Sequence, residues 1–176
     1  MKINESGIIV GIVLLANTLG VMAQKTYSKG VVTYVTNMRG QDVEVKEYFT
    51  TDSIAAVFTA GPATIRFVTH ALQQSFVMLM DVPVVSIKKA AIANPDEVSQ
   101  MTAALPALSF AEGTDTKQIS GFNCKKVVVT DTKDNRTYDV WITNDIEVPD
   151  DVIPQYYKGI GGFPVQYTAF SQGQTT

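Results

Sequence analysis

The chain is poor in the residues that build covalent frameworks and catalytic centres. Its 176 residues include one cysteine, one histidine and one tryptophan. A disulfide scaffold needs paired cysteines and a structural zinc site needs four clustered ligands, so the composition excludes both. The lone Cys124 is expected to be a small buried apolar residue within a strand.

Positive charge is scarce as well. The chain has 14 Lys and Arg against 17 Asp and Glu, a net charge of -3, and its only basic doublets are Lys88-Lys89 and Lys125-Lys126. Nucleic-acid binding needs a basic surface that neutralises phosphates. We therefore predict no nucleic-acid partner, and we interpret the two doublets as solvated positions on strand edges.

The N-terminus carries an uninterrupted apolar run, Ile8–Ala16, which is short for a transmembrane span of ~20 residues. Further on, Val21 and Ala23 satisfy the small-residue rule for a cleavage site. Residues 1–23 are therefore predicted to be a signal peptide that is removed before Gln24. A buried N-terminal helix and a membrane anchor are the alternatives.

The residue after the predicted cleavage site is Gln24, where a lipoprotein would carry a cysteine for its lipid. The mature chain, 24–176, is thus expected to be no lipoprotein, to have no membrane span, and to lie in the periplasm or outside the cell. Its length fits a single domain. Its 45% hydrophobic share is sufficient for a packed core.

Short β-rich segments separated by turn signals dominate this mature chain. The predicted strands are Gly30–Asn37, Asp42–Thr50, Ser53–Thr59, Thr64–His70, Ser75–Met80, Val84–Ala91, Ala107–Ala111, Val127–Thr130, Thr137–Thr143 and Phe163–Phe170. The clearest hairpin joins Val127–Thr130 to Thr137–Thr143 through a polar turn. The pattern predicts a mainly β (α+β) fold, a strongly bent antiparallel sheet with one or two short helices on its concave side.

One helix is signalled after the sixth predicted strand. The segment Asn94–Glu97 offers an N-cap, a proline at the first helical position, and an acid that can complete a capping box. Apolar residues then recur at helical spacing, at Val98, Met101 and Leu105, before Pro106 ends the run. This amphipathic helix is expected to lay its apolar side on the sheet.

Three segments of the last third resemble uncharacterised secreted families of the LolA-like fold, the fold of outer-membrane lipoprotein carriers, and the related GLPGLI-type secreted proteins. Ile119–Lys126 has an aromatic between Gly and Cys-Lys-Lys, Val140–Thr143 bears the Trp, and Gly162–Tyr167 has a Gly-Phe-Pro-apolar pattern. The resemblance extends over roughly Lys29 to Tyr167. It implies a half-barrel whose concave side, covered by helices, can form an apolar cavity. Family members continue with further strands, so this domain is expected to lack the family's terminal strands.

The strand Ser75–Met80 is predicted to be apolar on both faces. A strand of this kind is either covered on both faces or lines a pocket, and methionine suits adaptable binding surfaces. Core packing under the helix and an apolar ligand cavity therefore remain open as interpretations. The residues expected to line such a cavity are Phe67, Phe76, Met78, Met80, Met101 and Trp141.

The sequence does not assemble a catalytic set. His70 shares its strand face with Arg66, and no nucleophile motif accompanies it, so it is expected to be an exposed or half-buried strand residue. Four acids lie close together in the sequence after Thr143: Asp145, Glu147, Asp150 and Asp151. They could form a pair of glycosidase carboxylates or a calcium site. Because they lie in a proline-containing loop, we expect them to be solvated surface acids.

Two functions of different class follow from these features. The first is an exported, non-catalytic binding module whose apolar concave face holds a lipid or acyl ligand. The second is a structural or protein-interaction protein of the cell envelope with a fully packed core. Neither requires an enzyme activity, a cofactor or a metal, and none is predicted.

Overall fold

The computed structural model describes residues 24–38, 40–70, 75–171 and 174–175. The predicted signal peptide lies outside these residues. The fold is mainly β with antiparallel main sheets, which confirms the predicted class. Among the described residues, the only α-helix is α1, Pro95–Ala103.

A six-stranded antiparallel meander forms the first half of the domain, after a short β1, Lys25–Thr26. Its strands follow one another in chain order: β2, Gly30–Met38; β3, Gln41–Phe49; β4, Ser53–Ala60; β5, Ala63–His70; β6, Ser75–Val82; and β7, Ile87–Ala93. The prediction assigned Val84 and Val85 to the last of these strands. They belong instead to a 3-10 turn, Pro83–Val85, because Pro83 fixes its own φ and cannot donate to the ladder.

The register of this meander sorts its side chains onto two faces. We call the face that carries Phe67 and Met78 the inner face, and the face that carries Val68 and Val77 the outer face. Side chains directly opposite each other on neighbouring strands share a face. The prediction that the strand Ser75–Met80 is apolar on both faces is therefore confirmed.

The helix begins where the sequence predicted it. The Asn94 side chain accepts a hydrogen bond from the Glu97 N–H at 3.0 Å, and the Glu97 carboxylate accepts one from the Asn94 N–H at 2.8 Å. This capping box satisfies two of the amides that a helix start leaves without partners. The helix contacts β6 and β7.

A four-stranded antiparallel sheet forms the second half. In spatial order it consists of β12, Phe163–Gln166; β10, Thr137–Thr143; β9, Phe122–Asp131; and β8, Leu108–Ile119. The predicted hairpin is confirmed, with Thr137 opposite Thr130 and Thr143 opposite Cys124. The preceding strand is longer than predicted, because β8 continues past Glu112 through an irregularity in its register.

Three features correct the sequence expectation. The strands form two main sheets where one was predicted, because the helix and Pro106 interrupt the meander. The segment after β10 contains a short strand, β11 at Ile146–Glu147, which pairs in parallel with β1. The Lys125-Lys126 doublet lies on β9, which has neighbours on both sides, so it does not mark a sheet edge.

The chain after β10, residues 144–171, closes over the two sheets, and we call it the closing segment. It forms two 3-10 turns, Asp150–Val152 and Gln155–Tyr157, and a last antiparallel pair of β13, Phe170–Ser171, with β14, Gln174–Thr175. Where the prediction had one strand from Phe163 to Phe170, the structure has two short ones.

The buried core lies mainly on the four-stranded sheet. Val127, Val129, Val140 and Ile142 pack with Tyr157 at 0–2% exposure. A second cluster joins Phe49 of the six-stranded sheet to the closing segment through these residues: Val152, Phe163, Val32, Tyr34, Ile54 and Val165. The closing segment thus covers the inner face over β2, β3 and the start of β4.

Two glycines are required by close approach in this core. A side-chain carbon at Gly30 would lie 2.9 Å from the Phe49 ring, and one at Gly162 would lie 2.5 Å from the Asn144 amide oxygen. The Gly-Phe-Pro segment therefore needs glycine at position 162, because the chain packs tightly against the end of β10 there.

Candidate ligand-binding site

Four of the six predicted cavity residues share the inner face of the six-stranded sheet. Phe67 lies directly opposite Met78, and Met80 lies opposite Ile65. Phe76 follows at the same parity along β6, so it points to the same side. The sequence therefore identified a real surface, and the register explains why these side chains are neighbours.

Aromatic rings connect three strands across this surface. The centroids of Phe58 and Phe67 are 5.8 Å apart, and those of Phe67 and Phe76 are 5.5 Å apart in a stacked arrangement. The methionines adjoin this row, and Met78 remains 36% exposed. We call the set Phe58, Ile65, Phe67, Phe76, Met78 and Met80 the apolar stripe.

The stripe leads into a cavity at the end of β6 nearest the helix. The cavity has a volume of about 730 Å³ and lies between the inner face, α1 and the closing segment. Of the six residues predicted to line a cavity, Phe76 and Met101 line this one, whereas Phe67, Met78 and Met80 lie on the adjoining stripe and are not part of its lining. A volume of this size is typical of pockets that hold small ligands.

Each wall of the cavity comes from a different element. Ile54 and Thr69 extend the inner face, Val98 and Leu105 come from α1 and its end, and Val152 comes from the closing segment. The apolar residues of the helix thus face the cavity side of the sheet, where the sequence predicted that the helix would pack. Met101 itself is 44% exposed, so the cavity has an open mouth beside the helix.

Polar groups gather at the rim of the cavity. His70, Asp52, Asp151 and Lys158 all line it. The Lys158 ammonium contacts the Asp151 carboxylate at 2.8 Å, and His70 Nε2 lies 4.0 Å from Asp52 Oδ2. Phe76, at the end of the stripe, thus shares the cavity lining with these polar side chains.

The structure places Trp141 elsewhere. Val140 and Ile142, on either side of it, point into the core, so the indole lies on the opposite face of the four-stranded sheet. The Lys117 ammonium sits 4.0 Å above the Trp141 ring and donates to the Gln166 side chain at 2.9 Å. The sequence could not separate this residue from the stripe, because its pattern does not say which sheet a strand joins.

A carboxylate that the sequence reasoning missed lies beside the stripe. Glu47 belongs to the inner-face row that runs on through Ala56 to Phe67 and Met78. Its Oε1 has no hydrogen-bond partner among the described residues, and burial raises its pKa to about 7. The sequence signal for this position was the two-residue period of β3, which places Glu47 on the same face as Val43, Val45 and Phe49.

Tyrosines surround this carboxylate. Tyr34 packs edge-on against Tyr167 at 5.7 Å between ring centroids. Burial is the main cause that raises the pKa of both phenols, with the Glu47 charge adding to it. Glu47 therefore lies where the apolar stripe meets the covered part of the inner face.

His70, the residue weighed for catalysis, lies beside the Asp52 carboxylate, and its buried Nδ1 has no hydrogen-bond partner among the described residues. The Asp52 carboxylate accepts hydrogen bonds from Thr50 at 2.8 Å and Ser53 at 3.2 Å. These bonds are the main cause that lowers the Asp52 pKa, and the Ser53 hydroxyl is thereby directed to a carboxylate and not to His70. His70 is a half-buried strand residue, as predicted.

Three of the four acids predicted in this segment have separate partners. Asp145 accepts from the Asn123 N–H at 2.7 Å, Glu147 accepts from Thr26 at 2.9 Å, and Asp151 pairs with Lys158. Over the described ranges, no three His, Cys, Asp or Glu side chains are grouped so that they could hold a metal ion. Nor does any helix in those ranges have the length and apolarity to cross a membrane.

Comparisons with known proteins identify no family. No protein-family model matches the chain, and no curated protein matches it. A solved structure described as "Structure of PNGF-II in C2 space group" aligns with 82% of this chain and 25% of that chain, with 14% identity and a TM-score of 0.40. The chain thus spans about a quarter of the length of that structure. A likeness this low carries no argument about ligand or activity.

Proposed function

We propose that the protein is a non-catalytic binding module for an amphiphilic molecule with a long apolar chain, such as a lipid or a fatty acid. The observation that carries this proposal is the apolar stripe, which is only half covered and opens into a cavity of about 730 Å³. The ligand's chain would lie along the stripe, and its polar head would reach the rim near His70 and Lys158.

Physical chemistry favours such a ligand over simple core packing. Phe67, Phe76 and Met80 are half-buried and Met78 is 36% exposed, so the stripe retains apolar surface that a ligand can remove from water. Methionine and stacked phenylalanine adapt to flexible chains. In a protein with a fully packed interior, these side chains would be buried and no such surface would be left exposed.

Export and the LolA-like resemblance belong to the same proposal. A signal peptide over residues 1–23 would deliver the domain to the periplasm or the exterior, where free lipids and acyl chains need a carrier. The mainly β fold and the helix beside the sheet are compatible with that resemblance.

A matched pair of substitutions on β6 tests the binding site. Met78 and Leu79 are neighbours with the same 36% exposure, but they lie on the inner and outer faces respectively. Met78→Ser is expected to weaken uptake of a fluorescent fatty acid, such as an anthroyloxy stearic acid, about tenfold, because one apolar contact of ~1.5 kcal/mol is lost. Leu79→Ser is expected to leave uptake unchanged.

The outcome is read from fluorescence titrations of the three proteins. An equal loss of probe affinity in both variants would show that the probe does not bind preferentially to the inner face. Absence of uptake by the unsubstituted protein, together with organic extracts that repeatedly contain no lipid, would reject the proposed function.

One observation favours the second candidate, a protein-interaction role in the envelope. The outer face carries an apolar row with one residue from every strand of the meander: Val31, Tyr48, Ala55, Val68, Val77 and Ile92. Its ends are exposed, with Val31 at 53% and Ile92 at 73%. A flat apolar row of this kind can contact a partner protein. Loss of co-purifying protein in an Ile92→Thr variant, with fatty-acid uptake intact, would favour this role.

A further inference from the structure

The turn between β6 and β7 displays apolar side chains at its tip. Val84 is 75% exposed, Val85 is 58% exposed and Ile87 is 41% exposed. Turns are usually built from Gly, Asn, Asp, Ser and Pro, because these residues satisfy the backbone and face water. Adjacent exposed valines at such a position need an explanation beyond the turn itself.

The backbone holds these valines outward. Pro83 opens the 3-10 turn, and Ser86 closes it in the left-handed region at φ 54°. The Ser86 N–H donates to the Pro83 carbonyl at 3.1 Å. Because the turn is closed by its own hydrogen bond, Val84 and Val85 are presented in a fixed arrangement at little further cost in conformational entropy.

The two ends of the meander differ in polarity. The turns at the cavity end include the polar segment 50–53, whose Thr50, Asp52 and Ser53 hydrogen-bond to one another. The opposite end carries the valine tip together with the turn Ala60–Ala63, whose residues from Ala60 to Pro62 are exposed. The third turn at this end, between β2 and β3, is polar, since the Asn37 side chain donates to Asp42 at 3.0 Å, so the apolar part of this end is the side formed by β4 to β7.

Two lysines follow the tip at its base. Lys88 and Lys89 are both exposed, and the Lys88 ammonium lies 3.6 Å from Asp81 with its side chain 81% exposed. An apolar tip with cations behind it fits a lipid surface, where apolar side chains enter the boundary of the acyl region and lysines remain among the headgroups. A stable protein interface needs roughly 800 Å² on each partner, more than three side chains provide.

The tip is connected to the apolar stripe. On β6 the inner-face positions are Phe76, Met78, Met80 and Val82, and Val82 lies opposite Ile87. On β6 this row has no polar side chain from the cavity to the tip, a distance of roughly 20 Å, and Lys89 lies beside it, opposite Met80 on β7. An amphiphile that leaves a lipid surface at the tip would meet a continuous apolar path to the cavity.

We propose that the β6–β7 tip inserts into the surface of a lipid bilayer and is the point at which the apolar stripe exchanges amphiphiles with it. The insertion depends on Val84, Val85 and Ile87, and Lys88 and Lys89 strengthen it on anionic surfaces. The membrane contact does not require a ligand in the cavity, whereas the exchange of amphiphiles rests on the proposed function.

A fluorophore at the tip tests the contact directly. An environment-sensitive nitrobenzoxadiazole label is attached to Val84→Cys and, as a matched control, to Val35→Cys, which is 71% exposed on the outer face of β2. Cys124 does not compete for the label, because it is buried and burial raises the pKa of its thiol. The label at position 84 is expected to shift to the blue and brighten when vesicles of phosphatidylcholine and phosphatidylglycerol are added, and the label at position 35 is not.

The roles of apolar contact and charge are separated by two further arms. Replacing Val84 and Val85 together by Ser is expected to weaken vesicle affinity by roughly tenfold or more, since two apolar side chains are lost. Vesicles of pure phosphatidylcholine are expected to bind less tightly than the anionic mixture. Fatty-acid uptake from solution should survive the double substitution, and vesicle insertion should survive Met78→Ser.

Three results would overturn the proposal. They are no response of the label at position 84, an equal response of the label at position 35, and unchanged vesicle affinity after the double valine substitution. Tighter binding to the neutral vesicles would contradict the role of the lysines. Since uptake from solution is measured separately, failure of the membrane contact and failure of ligand binding give different results.

Discussion

In the four-stranded sheet Val129, Val140 and Ile142 are 0% exposed, whereas in the six-stranded sheet Val35 is 71% and Ile92 73% exposed. The division follows the chain. Among the described residues, the strongly exposed large apolar side chains all precede residue 102, and the buried apolar ones, apart from Phe49, all follow residue 123. The two halves thus contain similar β-branched residues, but these are buried in the second half and exposed in the first.

The difference suggests that stability and recognition are assigned to separate sheets. Burial of apolar surface is the dominant stabilising term, so the second half and the closing segment supply most of it. Apart from Phe49 and the residues that pack around it, the apolar residues of the first half lie on three surfaces: the stripe, the outer-face row and the tip. Substitutions in either sheet can enlarge or remove this contrast.

The largest effect is expected from the core of the four-stranded sheet. Ile142→Ala should lower the free energy of unfolding by about 3 kcal/mol, because it removes buried methylene groups and leaves a cavity. The matched control is Ile92→Ala, which removes the same atoms from a side chain that is 73% exposed and should cost less than ~0.5 kcal/mol. Urea unfolding of the three proteins measures both values, and similar costs at the two sites would contradict the division.

The next effect concerns Glu47 and depends on pH. Burial raises its pKa from 4.5 to about 7, so between these values the folded protein holds a proton that the unfolded chain has released. The free energy of unfolding should therefore fall as the pH rises from about 4.5 to about 7, by up to about 3 kcal/mol, and remain level above. The phenols near Glu47, those of Tyr34, Tyr156 and Tyr167, stay neutral in this interval, because a phenol ordinarily has a pKa near 10 and burial raises the pKa of these three further.

Substitution separates this carboxylate from the other acids. Glu47→Gln should flatten the pH profile and raise stability above pH 7, and Glu44→Gln, on the outer face of the same strand with a side chain 57% exposed, should do neither. The profile is obtained from thermal melts at a series of pH values. If stability depends on pH in the same way in Glu47→Gln as in the unsubstituted protein, the Glu47 carboxylate is solvated and not buried.

The smallest effect is expected at the helix that borders the cavity. Asn94→Ala removes the side-chain half of the capping box and should destabilise α1 by about 1 kcal/mol. Because no residue of α1 is fully buried, the loss should appear as faster amide exchange within the helix and little change in global unfolding. Faster exchange throughout the domain would mean that the helix supports the fold as well as the cavity.

The sequence predicted the local architecture well where each signal was self-contained. Alternation located the strands of the meander, and Asn94-Pro-Asp-Glu97 located the helix because its cap uses only nearby residues. The extension of β8 and the pairing of β11 with β1 were missed, since both depend on contacts between distant parts of the chain. The division into two sheets was missed for the same reason.

The candidate site shows the same limit. Five of its predicted residues were brought together because they lie on neighbouring strands or on the helix beside them. Trp141 was misplaced because alternation fixes a side chain's face but not the sheet to which the strand belongs. Glu47 was overlooked although it shares the parity of Val45 and Phe49, and the valine tip was assigned to a strand because β-branched residues favour one.

Hydrogen–deuterium exchange with and without oleic acid tests directly whether the two sheets have separate roles, because it follows both sheets in one measurement. If the six-stranded sheet provides the binding surface and the four-stranded sheet the core, the ligand should slow exchange in β5, β6 and α1 and leave β9 and β10 unchanged. Exchange that is unaffected by oleic acid throughout, or protection confined to the four-stranded sheet, would contradict the account.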